Sequence, residues 1–173
     1  VGDVVFGNVS QVGEQAANIG RNVVLEAGFP IEVPGTTVDR QCGSAQQAIH
    51  FAANLISAGV VDITIAGGVE VKSRVPMGSN FKVAGFPFTE NMVQKYDLTS
   101  QGVSADNIAR KYGITREQLD TFAVESQRRA KAASDAGKFE KEILPIEVEH
   151  EGVKGVFKID EGIRESTLEK LGT

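Results

Sequence analysis

Apolar residues in the first part of the chain follow two periods that alternate along the sequence. Short runs rich in β-branched residues predict strands, and apolar positions at helical spacing predict helices between them. The predicted strands lie in residues 1–9, 36–38 and 60–66, and the predicted helices in residues 14–27 and 44–57. This alternation of strands and helices is typical of an α/β layer with a largely parallel sheet and right-handed crossovers.

The pattern changes at about Val71. Proline and glycine residues between positions 76 and 87 indicate an excursion along the surface. Helices are predicted over residues 90–96, 104–112 and 115–136, and a β-hairpin over residues 142–159. The longest of these helices opens with a possible capping box of Thr115 and Gln118, which strengthens the prediction of its first turn.

Cys42 is the single cysteine of the chain, between the strand that ends at Val38 and the helix that begins at Ser44. A helix N-terminus presents unpaired N–H groups and the positive end of the helix dipole, which stabilise a thiolate or a developing oxyanion. Two interpretations stay open for Cys42, a reactive nucleophile or a small buried apolar residue. Two interpretations also stay open for Gly67 and Gly68. The glycine pair permits close approach of another backbone, or it simply turns the chain.

Composition argues against several classes of function. The net charge of −5 gives no support for nucleic-acid binding, and one cysteine rules out an internal disulfide framework. No apolar run approaches the ~20 residues that span a bilayer, and we predict a cytoplasmic protein that binds neither nucleic acid nor membrane. Neither a GxGxxG, a Walker nor a zinc-ligand motif occurs, so we predict no metal and no tightly bound cofactor.

Two segments resemble a known family. VDRQCGSAQQA (residues 38–48) and IAGGVEVKSRVPM (residues 65–77) resemble the nucleophile segment and the following glycine-rich strand of thiolases, which make or cleave 3-ketoacyl-coenzyme A. The resemblance continues over residues 101–133 and 138–148. It implies a thiolase-like layered α/β fold, in which helices pack on a mixed, largely parallel sheet and a mainly helical loop lobe is inserted.

The resemblance also implies how the chain is divided. Residues 1–72 correspond to the N-terminal α/β layer without the family's first strand, and residues 73–173 to the inserted loop domain, incomplete at its C-terminal end. In the family, this lobe covers the active site and contributes to coenzyme A binding. We therefore expect an N-terminal portion of a longer enzyme that does not turn over alone.

For mechanism, the resemblance assigns Cys42 as the acyl-accepting nucleophile, whose backbone N–H forms part of an oxyanion hole. Coenzyme A is a cosubstrate: the thiolate forms an acyl-enzyme, acetyl-coenzyme A leaves, and coenzyme A takes up the acyl group. The reverse direction is a Claisen condensation. Ser100 and Gln101 occupy the place where biosynthetic members of the family often carry His-Met beside the acyl pocket. Gln101, Gln46 and Gln47 resemble degradative members, which favours fatty or steroid side-chain substrates.

The histidine, the second cysteine and the asparagine motifs of thiolases do not occur in the chain. Its two histidines are His50 and His150, and His50 lies about 12 Å along the predicted helix from Cys42, too far for direct proton transfer. Two alternatives stay open, a ketoacyl-synthase-like condensing enzyme and a non-catalytic dimerisation or scaffold fragment. Thiolases pair through this half, so we also predict a homodimer or tetramer formed through the N-terminal α/β layer.

Overall fold

The computed structural model describes residues 1–172 and divides into two compact units, Val1–Tyr96 and Asp97–Thr173. The first unit contains β1 (Asp3–Gly7), α1 (Ile19–Glu26), β2 (Gly35–Val38), α2 (Ser44–Ser57), β3 (Thr64–Gly68) and α3 (Glu90–Lys95). The second contains α4 (Gln101–Tyr112), α5 (Arg116–Asp135), β4 (Ile146–His150), β5 (Val153–Phe157) and α6 (Leu168–Leu171). The proposed division into an α/β layer and an inserted lobe at residue 72 remains a prediction.

The first unit is a three-stranded parallel sheet in the order β2-β1-β3. Successive side chains of the central strand point to opposite faces of the sheet. Val4 packs with Val24 of α1 and Val33, whereas Val5 faces a groove formed with Phe51 of α2. The two helices therefore cover opposite faces, which confirms the predicted α/β class with a largely parallel sheet.

The helix predicted over residues 14–27 is shorter than expected. α1 begins only at Ile19 because Asn18 adopts a left-handed φ of 59° and caps the helix. The Asn18 amide donates to the Gly35 carbonyl at 2.8 Å, and its oxygen accepts from the Thr37 hydroxyl at 2.7 Å. Contacts with β2, which local periodicity does not reveal, thus set the start of the helix.

The second unit follows its predicted helices and hairpin with shifted ends. α4 begins at Gln101 rather than at Ser104. β4 pairs antiparallel with β5, and the two-residue turn between them is Glu151–Gly152, with φ of 50° and 79°. Positive φ at both turn positions matches the twist of a two-residue hairpin, which explains why glycine is placed there.

Large apolar side chains remain exposed on the first unit. Three of them lie on α2, where Ile49, Phe51 and Ile56 are 44–55% exposed. Among residues 1–172, none of the helices combines the length and the apolar character needed to cross a membrane.

Candidate active site

The three parallel strands bring their carboxyl ends to one edge of the sheet, at Gly7, Val38 and Gly68. The first turn of α2 packs directly on this edge. A Cβ added to Gly7 would lie 2.3 Å from the backbone nitrogen of Ala45, and one added to Gly68 would lie 2.7 Å from the Ala45 Cβ. Gly68 therefore permits a close helix approach, which decides between its two interpretations.

A tight turn connects β2 to α2 and carries Cys42. Gln41 adopts a left-handed φ of 47°, and its N–H donates to the Asp39 carboxylate at 2.7 Å. The Ser44 hydroxyl accepts from the Arg40 N–H at 2.9 Å and donates to the Gln41 carbonyl at 2.6 Å. Because Ser44 is buried, these hydrogen bonds fix the backbone on both sides of Cys42.

Cys42 itself is a free, exposed cysteine, separated from the first helical residue by Gly43, the N-cap of α2. Its exposure shows that the interpretation as a buried apolar residue is wrong. The placement at the helix N-terminus, inferred from the sequence, is confirmed. An accessible thiol at this position can act as a nucleophile toward an electrophilic carbonyl carbon.

Arg40 extends this turn onto the helix surface. Its guanidinium donates to the side-chain oxygen of Gln47, which is buried one turn into α2. Gln47 therefore anchors the segment before Cys42 within the described structure, whereas the sequence resemblance associated it with substrate size.

The other residues singled out from the sequence belong to segments other than the turn that carries Cys42. Ser100 is the N-cap of α4 and Gln101 is its first residue, and both are exposed in the second unit. His50 is an exposed residue of α2 and shares that helix with the segment that follows Cys42, as predicted. His150 ends β4. Within residues 1–172, no group of three or more His, Cys, Asp or Glu side chains is arranged to hold a metal ion.

A network at the carboxyl edge, centred on Glu70, was not anticipated from the sequence. The Glu70 carboxylate accepts hydrogen bonds from the backbone N–H groups of Val9 and Ser10, the latter at 2.9 Å, and from Gln15 at 3.2 Å and Lys72 at 2.9 Å. Burial raises the pKa of Glu70, but these hydrogen bonds, led by that from Lys72, outweigh it and lower the pKa to about 2. Glu70 is therefore ionised at neutral pH. We refer to these five residues as the Glu70 network.

Sequence reasoning missed this network because its partners are far apart along the chain. The signal that could have found them is the coincidence of polar residues directly after two parallel strands, since the carboxyl ends of such strands meet at one edge.

The match to a protein family extends over the whole chain. Residues 1–173 match the family described as thiolase, N-terminal domain, and the chain belongs to the thiolase family. This match decides against the ketoacyl-synthase alternative.

Named relatives agree with this assignment. The chain is 44% identical to a steroid 3-ketoacyl-CoA thiolase of Mycobacterium tuberculosis, with 99% of this chain and 43% of the relative covered. It is 39% identical to a beta-ketoadipyl-CoA thiolase of Acinetobacter baylyi, with 96% and 45% covered. It is 38% identical to an acetyl-CoA acetyltransferase of Cupriavidus necator, with 99% and 46% covered. The chain thus spans less than half the length of these relatives.

Proposed function

We propose that this chain is the N-terminal catalytic portion of a thiolase that cleaves 3-ketoacyl-coenzyme A, with Cys42 as the acyl-accepting nucleophile. The observation that carries this proposal is the position of Cys42, exposed at the N-terminus of α2 on the carboxyl edge of the sheet. Membership in the thiolase family supports the reaction type.

In the proposed reaction, the Cys42 thiolate attacks the 3-keto carbon and forms a tetrahedral intermediate. Collapse of the intermediate breaks the bond between C2 and C3, and the electron pair leaves with the acetyl-coenzyme A carbanion, which takes up a proton. The acyl group remains on Sγ until the thiol of coenzyme A attacks it, loses its proton and releases Cys42. The reverse sequence is the Claisen condensation.

The chain's own contribution to this chemistry is placement of the nucleophile. The turn through Gln41 and Ser44 fixes Cys42 at the positive end of the α2 dipole, where a thiolate is stabilised. We assign the Cys42 backbone N–H to an oxyanion hole. His50 does not serve as the base in this proposal, because it lies farther along α2. The general base and acid come from residues outside this chain.

We assign Ser100 and Gln101 to the acyl pocket and propose a degradative enzyme with coenzyme A as its cosubstrate. The names of two relatives, steroid 3-ketoacyl-CoA thiolase and beta-ketoadipyl-CoA thiolase, support substrates larger than acetoacetyl-coenzyme A. We also propose a cytoplasmic homodimer or tetramer. The exposed apolar side chains of α2 and the three-stranded sheet support association through the first unit.

A non-catalytic dimerisation or scaffold role is the second candidate. The same exposed side chains, Ile49, Phe51 and Ile56, favour it, because apolar surface on a folded unit marks a contact with another protein segment. Acylation of Cys42 distinguishes the two functions.

The test is the intact mass of the full-length protein, which also supplies the general base and acid, before and after incubation with acetoacetyl-coenzyme A, followed by peptide mapping. An acetyl group on Cys42, absent in Cys42→Ala, is the expected result. Reaction of Cys42 with iodoacetamide but not with the thioester would refute catalysis by Cys42 and support the scaffold role.

A further inference from the structure

Asn8 joins the three segments that leave the carboxyl edge of the sheet. It follows β1 directly, and its N–H donates to the carbonyl of Val38, the last residue of β2, at 3.0 Å. Its side-chain amide donates to the carbonyl of Val69, just after β3, at 2.6 Å. Asn8 is only 1% exposed. The position of Asn8 therefore bears directly on the backbone that leads from Val38 to Cys42.

The side-chain oxygen of Asn8 is buried and has no hydrogen-bond partner among the described residues. A buried polar atom without a partner is destabilising, so the surrounding structure must hold Asn8 in place. The Glu70 network is adjacent to it, because the two N–H groups that follow Asn8, those of Val9 and Ser10, both donate to the Glu70 carboxylate.

The Glu70 network also connects the segment that follows β1 with the segment that follows β3. Gln15 accepts from the Val71 N–H at 2.7 Å through its side-chain oxygen and donates to the Ser10 carbonyl at 3.0 Å. Lys72 contacts the Ser10 hydroxyl at 3.3 Å. The segments that follow β1 and β3 are thus held together as one polar unit.

We propose that Glu70 is a positioning residue for Cys42, acting through the N–H groups that follow Asn8 and through the hydrogen bond from Asn8 to Val38. The inference rests on the proposed role of Cys42 as the nucleophile. Loss of the Glu70 charge releases the segment after β1, and with it the end of β2 and the turn that holds Cys42 at the helix N-terminus.

The chain contains a matched control for this inference. The ion pair of Glu14 with Arg74 also connects the segment after β1 with the segment after β3. Its side chains are 59% and 65% exposed, whereas Glu70 is 26% exposed. The substitutions Glu70→Gln and Glu14→Gln therefore remove the same charge from the same pair of segments, but only the first changes the side chain that accepts from the N–H groups next to Asn8.

Glu70→Gln should have a large effect on the Glu70 network because the side chain at position 70 is surrounded by hydrogen-bond donors. A glutamine can still accept with its oxygen, but its NH₂ group would meet the NH₂ group of Gln15 and the ammonium group of Lys72, which are donors too. At least two of the hydrogen bonds to position 70 are therefore lost.

The experiment measures the rate of Cys42 alkylation by iodoacetamide across pH, with peptide mapping, in the complete purified protein. Because Cys42 is already exposed, a loosened turn gains little access, and the change in alkylation rate reports how well the turn holds Cys42 at the N-terminus of α2. We expect Glu70→Gln to slow alkylation at neutral pH roughly fivefold and to displace the pH–rate profile to higher pH; this rate change corresponds to about 1 kcal/mol, less than the full contribution of the two hydrogen bonds lost at position 70. Glu14→Gln should follow the wild type.

Circular dichroism establishes that each variant is folded. Identical profiles for folded Glu70→Gln and Glu14→Gln would overturn the proposal. If Glu70→Gln does not fold, the milder pair Lys72→Met and Arg74→Met replaces it, and equal profiles for these two variants would overturn the proposal in the same way. Alkylation needs no substrate. Failure of Cys42 to take an acyl group from acetoacetyl-coenzyme A would therefore refute the proposed function while leaving the positioning effect measurable.

Discussion

Gly7→Ala places a methyl group where the first turn of α2 packs on the end of β1. The new Cβ would lie 2.3 Å from the nitrogen of Ala45, 2.3 Å from the carbonyl carbon of Ser44 and 2.7 Å from the Ala45 Cα. All three are backbone atoms, so no side-chain rotation removes the overlap. The helix start, which follows Cys42, has to move instead.

The required movement sets the magnitude. Ordinary contacts of a Cβ begin at 3.4 Å, and the shortfall from 2.3 Å is about 1 Å. α2 also packs closely against Gly68 of β3, where an added Cβ would lie 2.7 Å from the Ala45 Cβ. This second close contact prevents the helix from sliding along the sheet to relieve the overlap at position 7. Overpacking of this kind costs ~1–3 kcal/mol and occasionally more, and we expect the upper end, about 3 kcal/mol. For a unit of this size, that loss lowers Tm by about 12 °C or more.

Thermal unfolding followed by circular dichroism provides the assay, and the rate of Cys42 alkylation in the folded protein provides a local readout. Gly155→Ala is the control, because a Cβ at Gly155 meets nothing within 4 Å and the substitution should change stability by less than ~0.5 kcal/mol. A Gly7→Ala variant within about 1 kcal/mol of the wild type would show that α2 does not pack on β1 as described.

Four further predictions concern individual contacts. Gly68→Ala overlaps the Ala45 side chain, so Ala45→Gly should restore ~1–2 kcal/mol in a double-mutant cycle with it; additive effects would contradict this contact. Thr115→Ala removes the capping box of α5 and should lower stability by about 1 kcal/mol in thermal unfolding, with Thr121→Ala, in the helix interior, as the comparison. Because the pKa of Glu70 is lowered to about 2 in the folded protein, the ionised Glu70 stabilises the fold above pH 4.5, and this stabilisation is lost as pH falls toward 2. The Tm difference between wild type and Glu70→Gln should therefore shrink over this pH range. A Tm difference that stays constant would refute the coupling between Glu70 ionisation and stability. Glu125→Gln should leave Tm unchanged although two arginines lower the pKa of Glu125 to about 2, because this carboxylate is solvent-screened on the surface of α5.

The sequence determined the elements whose signals are local. The β-branched run predicted as a strand over residues 60–66 forms β3, although β3 begins only at Thr64. The capping box of Thr115 with Gln118 forms as predicted at the start of α5. The position of Cys42 between β2 and α2 was equally readable, because strand propensity, helical periodicity and a glycine at the boundary all act within a few residues.

Features that depend on residues far apart in the sequence follow from the packing of the chain. The start of α1 is set by contacts of Asn18 with β2. The role of Gly68 is set by the approach of α2. In the Glu70 network, the hydrogen-bonded residues are separated by 55 to 61 positions in the sequence, except for the local pair of Glu70 with Lys72. The physical reason is that a parallel sheet brings the ends of its strands to one edge, where polar groups from separate segments satisfy one another, and no local pattern records which groups will meet.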